Sequence, residues 1–132
     1  MTDDPTGVPL RRRLVTTALT VAFAAAVLAH LWGLYWPRVD LPSDAPLTDK
    51  WAHLAGFGVP VALAWLRFPR HRTPLVAAFA AHAVISEVLQ GLVLPNRVGD
   101  SLDALADLIG VALGVAVGWG TRALVRTITR PS

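Results

Sequence analysis

Four long apolar stretches, punctuated by arginine clusters, prolines and tryptophans, constrain this chain more than any other feature. The first, residues 14–34, is almost wholly apolar and follows Arg11, Arg12 and Arg13. At roughly 1.5 Å of rise per residue, a helix of that length crosses the roughly 30 Å hydrocarbon core of a bilayer. Trp32, Tyr35 and Trp36 close it, in the position of an interfacial aromatic belt. Pro37, Pro42 and Pro46 then predict a loop over residues 37–48. The second stretch, 50–68, is entered through Trp51, contains Pro60, and ends in the basic run 67–72. A proline is tolerated in a membrane helix, where it kinks the backbone. The third covers 73–94 and stops at Pro95. The fourth begins near Ser101, an N-cap candidate with Asp103 in the first turn, and runs to about Leu124.

Composition agrees. Of 132 residues, 54% are hydrophobic and 16% charged, against about a quarter charged in ordinary soluble domains. Mean hydropathy is +0.51. The length allows one domain. Cysteine is absent, which excludes disulfides, thiolate metal sites and cysteine nucleophiles. A formal charge of +3 could suggest nucleic acid, but the basic residues sit in short clusters between apolar runs, which is how membrane proteins encode orientation. The expectation is therefore no nucleic-acid partner. It is an all-α, polytopic membrane protein of four transmembrane helices, comprising a tail 1–13, a helical domain 14–126 and a tail 127–132.

Orientation follows from counting. Arg11, Arg12, Arg13, Arg67, Arg70, Arg72, Arg122, Arg126 and Arg130 fall on one side, nine in all, and Arg38, Lys50 and Arg97, three, on the other. The positive-inside rule places the richer side and both termini in the cytoplasm. The start of the chain also resembles a signal peptide, with three arginines, an apolar run and small residues near Ala29. The run exceeds a usual signal core and three more follow, so it is read as a retained helix.

Ionisable side chains in lipid cost at least about 2.5 kcal/mol each and need a partner or a role. Here they gather at three helix ends that meet on the outer side. Asp49, Lys50 and His53 open the second helix. Glu87 and Gln90 share a face of the third at i and i+3, Arg97 lies in the following loop, and Asp103 and Asp107 share a face of the fourth at i and i+4. Together they form one shallow polar layer. His30 and His82 are read as satisfied core histidines on other faces, and His71 as a loop residue. Gly110, Gly114 and Gly118 make a smooth stripe along the fourth helix. Its packing partner is either another helix of the chain or a second copy, the latter giving a homo-oligomer.

The stretches D-K-W-A-H at 49–53, S-E-V-L-Q at 86–90, Arg97, and D-A-L-A-D-L-I-G-V-A-L-G at 103–114 together resemble the VanZ-like family of bacterial membrane proteins. The resemblance covers about residues 49–118 and rests on the ordered set, no single element being specific. Asp107 departs from it, since the family usually has Asn there. The family takes its name from a protein associated with low-level teicoplanin resistance, and its molecular activity is not established. The resemblance implies a multi-pass protein of the bacterial plasma membrane, with a cell-envelope role and a site shared by Asp49, Lys50, His53, Glu87, Gln90, Arg97, Asp103 and Asp107.

Each feature also has a plainer reading. Lys50 with Asp49 is an interfacial ion pair on the simplest view, worth under about 1 kcal/mol if exposed. Glu87 paired with Arg97 or His53 would lock the bundle. Asp103 and Asp107 resemble a divalent-metal pair, but a helix N-terminal carboxylate beside a buried hydrogen-bonded acid accounts for them more simply, so no cofactor is expected. Two functions stay open. One is an outward-facing site that binds a lipid head group or another envelope amphiphile. The other is a membrane-embedded enzyme acting on a lipid-linked substrate, with His53, Glu87 or Asp107 as catalytic candidates. No nucleophile signature or phosphate loop supports the enzyme.

Overall fold

The computed structural model describes residues 9–36, 46–93 and 100–128. They form four helices: α1 (Leu10–Tyr35), α2 (Pro46–Arg67), α3 (Arg72–Val93) and α4 (Ser101–Ile128). Three of them, α1, α3 and α4, are long and apolar enough to cross a membrane, with mean hydropathies of 2.0, 1.6 and 1.7. The 22-residue α2 carries Asp49, Lys50 and His53 near its start and falls outside that set.

Three boundaries differ from the sequence expectation. α1 starts at Leu10, so Arg11–Arg13 are its first turn rather than part of a tail, and the amides of Arg12 and Arg13 bond back to the Pro9 carbonyl. The remainder of the expected tail, residues 1–8, lies outside the described residues. Residues 46–48 were expected in a loop but are helical. Proline suits a first helical position, where its missing N–H would have had no acceptor and its φ is already helical. α4 continues to Ile128, and Thr121 and Thr127 turn their hydroxyls onto carbonyls four residues back, at 2.8 and 3.0 Å. The tail 127–132 is thus helical in its first two residues, the rest being outside the described residues.

The helices run alternately up and down. Gln90 Nε2 of α3 donates to the Leu34 carbonyl near the end of α1 (3.1 Å), while Lys50 of α2 meets Asp103 of α4 at 2.7 Å at the same end of the bundle. At the opposite end Arg67 Nε donates to Thr20 Oγ1 at 2.6 Å, and Phe23 meets Phe68 edge to face at 5.3 Å. α1 is therefore an integral part of the bundle. Arg12, Arg67, Arg70, Arg122 and Arg126 converge there on a cavity of about 830 Å³. Arginine thus dominates one end and the carboxylates gather at the other.

α2 packs against all three other helices, most closely α4. Gly110, Gly114 and Gly118 are buried in that contact. A methyl group at Gly110 would strike the Leu54 carbonyl oxygen, one at Gly114 would stand 2.5 Å from the Gly58 carbonyl, and one at Gly118 2.7 Å from Trp65 Cβ. Of the two partners open to the stripe, the structure places α2 on it. The buried apolar core is small, with Leu34, Phe57, Val61, Ala83 and Val111 at its centre. Leu28, Val88, Leu92, Val117 and Trp119 instead face outward. So large an exposed apolar surface is foreign to soluble monomers and natural beside lipid.

Candidate functional site

The glycine contact sets the site, because it holds the first turns of α2 close to the first turns of α4. His53 of α2 then reaches Asp107 of α4, Nδ1 to Oδ1 at 3.0 Å. Glu87, from the last turns of α3, comes in from the third side, with Oε1 4.0 Å from His53 Nδ1. All three side chains are buried, Asp107 completely. Glu87 Oε2 accepts the Asp100 amide at 2.9 Å. Glu87 Oε1 and Asp107 Oδ2 are buried with no hydrogen-bond partner among the described residues.

A second, wetter layer covers this triad. Lys50 Nζ bridges Asp103 Oδ1 at 2.7 Å and Asp100 Oδ2 at 3.4 Å. Asp49 lies beside it, with a carboxylate oxygen within 4.8 Å of donor atoms on His53 and Asp103. Asp100 also accepts the Leu102 amide at 2.8 Å, which makes Asp100 rather than Ser101 the cap of α4. That amide and the Lys50 ammonium hold the Asp100 carboxyl below the usual carboxylate range.

Of the residues singled out in the sequence, Asp49, Lys50, His53, Glu87, Asp103 and Asp107 come together at one end of the bundle. Gln90 does not join them. It is buried and committed to the Leu34 carbonyl, so it ties α3 to α1. Arg97 lies outside the described residues. Asp103 and Asp107, which looked like a pair, are divided between Lys50 and His53. Two groups of donors lie close enough to hold a cation, each with its ligand atoms within 4.8 Å of one another. They are His53–Glu87–Asp107, wholly buried, and Asp49–His53–Asp103, more open.

Two features escaped the sequence reading. Asp100 was indistinguishable there from any loop acid, although a short acid just before a helical run is a recognised capping signal. His30 and His82 are not remote from the site. Their rings meet at 5.2 Å, and His30 packs edge-on to Phe57 at 4.4 Å. Nor are they satisfied as expected, since Nε2 of each is buried without a partner among the described residues. His30 and His53 line the same cavity between α1 and α2, about 370 Å³ in volume and walled by Ala26, Ala29, Gly33, Ala52 and Ala55. Small side chains on both helices keep this groove open.

No protein-family model, curated protein or solved structure matches this chain.

Proposed function

We propose that this chain is a VanZ-like multi-pass protein of the bacterial plasma membrane, and that it binds an envelope amphiphile at the polar end of α2, α3 and α4. All four helices cross the bilayer. α2 runs parallel to α4 in continuous contact, and its charged first turns lie at the level of the head groups. The arginine-rich end faces the cytoplasm by the positive-inside rule, so the carboxylate end faces out. The observation that carries the reading is that His53 belongs at once to the polar cluster and to the apolar groove between α1 and α2. A polar head and an acyl or isoprenoid chain would find adjoining surfaces there, a head in the Lys50–Asp103 layer and a chain among the alanines.

Binding of a short-chain fluorescent phospholipid to the purified chain tests this directly. Ala29→Trp or Ala55→Trp fills the groove and should weaken binding, with folding checked by thermal melting. Undiminished binding in both variants sinks the amphiphile reading. In cells, a strain lacking the protein should change in glycopeptide sensitivity. The native chain should restore it and Glu87→Ala should not, at matched expression.

A second reading has one observation in its favour. Asp107 orients the His53 ring through Nδ1, which leaves Nε2 as the nitrogen for proton transfer, the arrangement of a general base. A membrane-embedded enzyme acting on a lipid-linked substrate at the outer leaflet would use it so. Conversion of such a substrate by purified protein, lost in His53→Ala, would establish the enzyme; binding without conversion keeps the first reading.

A further inference from the structure

We infer that His53, Glu87 and Asp107 form a divalent-cation site inside the bundle. Three helices each contribute one side chain: His53 from α2, Glu87 from α3 and Asp107 from α4. One imidazole nitrogen and two carboxylate oxygens lie within 4.8 Å of one another, and all three residues are buried. Two carboxylates that close, shielded from water, repel strongly and require a positive charge or protons between them. Lys50, the nearest described ammonium, is already engaged with Asp100 and Asp103 above. The second observation is independent of the clustering. Glu87 Oε1 and Asp107 Oδ2 are buried and have no hydrogen-bond partner among the described residues. Buried acceptors are rarely left so, and a cation takes up such lone pairs.

The donor set selects the ion. Carboxylates suit hard cations and imidazole suits the later first-row metals, so one nitrogen with two oxygens fits manganese to zinc better than calcium or magnesium. Around a tetrahedral ion at about 2.1 Å the donors would stand roughly 3.4 Å apart. The present separations of His53 Nδ1 from Asp107 Oδ1 (3.0 Å) and from Glu87 Oε1 (4.0 Å) bracket that value, the ion replacing the proton that Nδ1 and Oδ1 share, which leaves to solvent. Three protein ligands leave a coordination position for water or for an oxygen of a bound molecule. The inference goes beyond amphiphile binding, because protein atoms alone hold the ion and either can fail without the other.

The test uses the full chain in detergent, stripped with a chelator and titrated with Zn²⁺, Mn²⁺ or Co²⁺ alone. One equivalent should bind. Glu87→Gln and Asp107→Asn, which keep side-chain shape, should each weaken binding by more than the about 10–100-fold typical of outer-shell changes. Asp103→Asn should leave it within about twofold. The Co²⁺-loaded protein should show the absorption of a nitrogen-ligated, low-symmetry site, and this reading stands even where a variant fails to fold. Absence of binding by the native chain overturns the inference and leaves protons as the neutralising charge. Binding that Glu87→Gln and Asp107→Asn do not affect, or that Asp103→Asn abolishes, also overturns it, the latter moving the ion to the Asp49 side. Phospholipid binding measured on the stripped and loaded protein separates this result from the amphiphile reading.

Discussion

Replacing Gly114 by alanine adds one methyl group in the tight contact between α2 and α4. The methyl carbon would lie 2.5 Å from the Gly58 carbonyl oxygen and 2.8 Å from Val61 Cβ, against about 3.4 Å for the start of ordinary contact. One obstacle is backbone and the other a buried β-branched residue, so neither can turn aside, and the helices must separate by about 0.9 Å. A gap of 0.5–1 Å forfeits about a quarter to a half of each dispersion contact it opens. Overpacking of this kind costs about 1–3 kcal/mol, offset by at most about 1 kcal/mol of helix propensity from glycine to alanine. The control is Gly120→Ala on the same helix. A methyl there meets nothing within 4 Å, so only the propensity gain remains. The two variants should therefore differ by about 1–3 kcal/mol, measured by reversible denaturant or SDS unfolding in mixed micelles. Equal stabilities within about 0.5 kcal/mol would refute the placement of α2 on the glycine stripe.

Other substitutions probe the site and its supports. Gln90→Leu removes the donor to the buried Leu34 carbonyl at near-constant volume and should cost about 1–3 kcal/mol by thermal unfolding, leaving Zn²⁺ affinity unchanged. Asp100→Asn keeps a capping side chain but deletes the charge. The native carboxyl is held below its ordinary range, so it stabilises the fold above the unfolded-state pKa, and this contribution disappears as pH falls through the folded-state value. The acid limb of a pH–stability profile should flatten in Asp100→Asn; an unchanged limb assigns that limb to other carboxylates. Lys50→Met should destabilise less than Gly114→Ala, because the Lys50 end of its ion pairs is partly exposed to solvent, and Asp103→Asn should recover part of the loss.

The bundle was legible because lipid enforces a simple code. Every backbone polar group must be paired within the helix, and long apolar runs between arginines leave few alternatives. The convergence of Asp49, Lys50, His53, Glu87, Asp103 and Asp107 was legible too, since these side chains sit in costly positions that spacing alone reveals. Pairing was not. Asp103 and Asp107 share a face on one helix, yet the rotation of α2 against the glycine stripe gives Lys50 to the first and His53 to the second. Gln90 shares a face with Glu87, but its depth brings it to the end of α1. Pro46 was read as a loop residue because proline breaks a helix interior, and its opposite value at a first helical position depends on where the helix begins.

Pro60 shows how one such local rule reaches the site. It lies inside α2 and is fully buried. Lacking an N–H, it cannot bond the carbonyl four residues back, which is that of Gly56. A carbonyl freed in a buried helix interior needs a donor from a neighbour, and the His30 ring of α1 hydrogen-bonds to the Gly56 backbone, with Nδ1 on that side. A methyl at Gly56 would meet Nδ1 at 3.5 Å, an ordinary contact, so it is the Gly56 carbonyl and not its missing side chain that engages the ring. The proline, the glycine and the histidine then act as one unit that fixes α1 against α2 and forms one wall of the groove. A double-mutant cycle measures that unity. His30→Ala in the native background leaves the Gly56 carbonyl without its donor and should cost about 1–3 kcal/mol, partly through lost contact with Phe57. In a Pro60→Ala background the alanine N–H can take the carbonyl, so His30→Ala should cost about 1 kcal/mol less. Independent sites add within about 0.3–0.5 kcal/mol. Additivity at that level would mean that the Gly56 carbonyl is satisfied some other way and that His30 is held by its aromatic contacts alone.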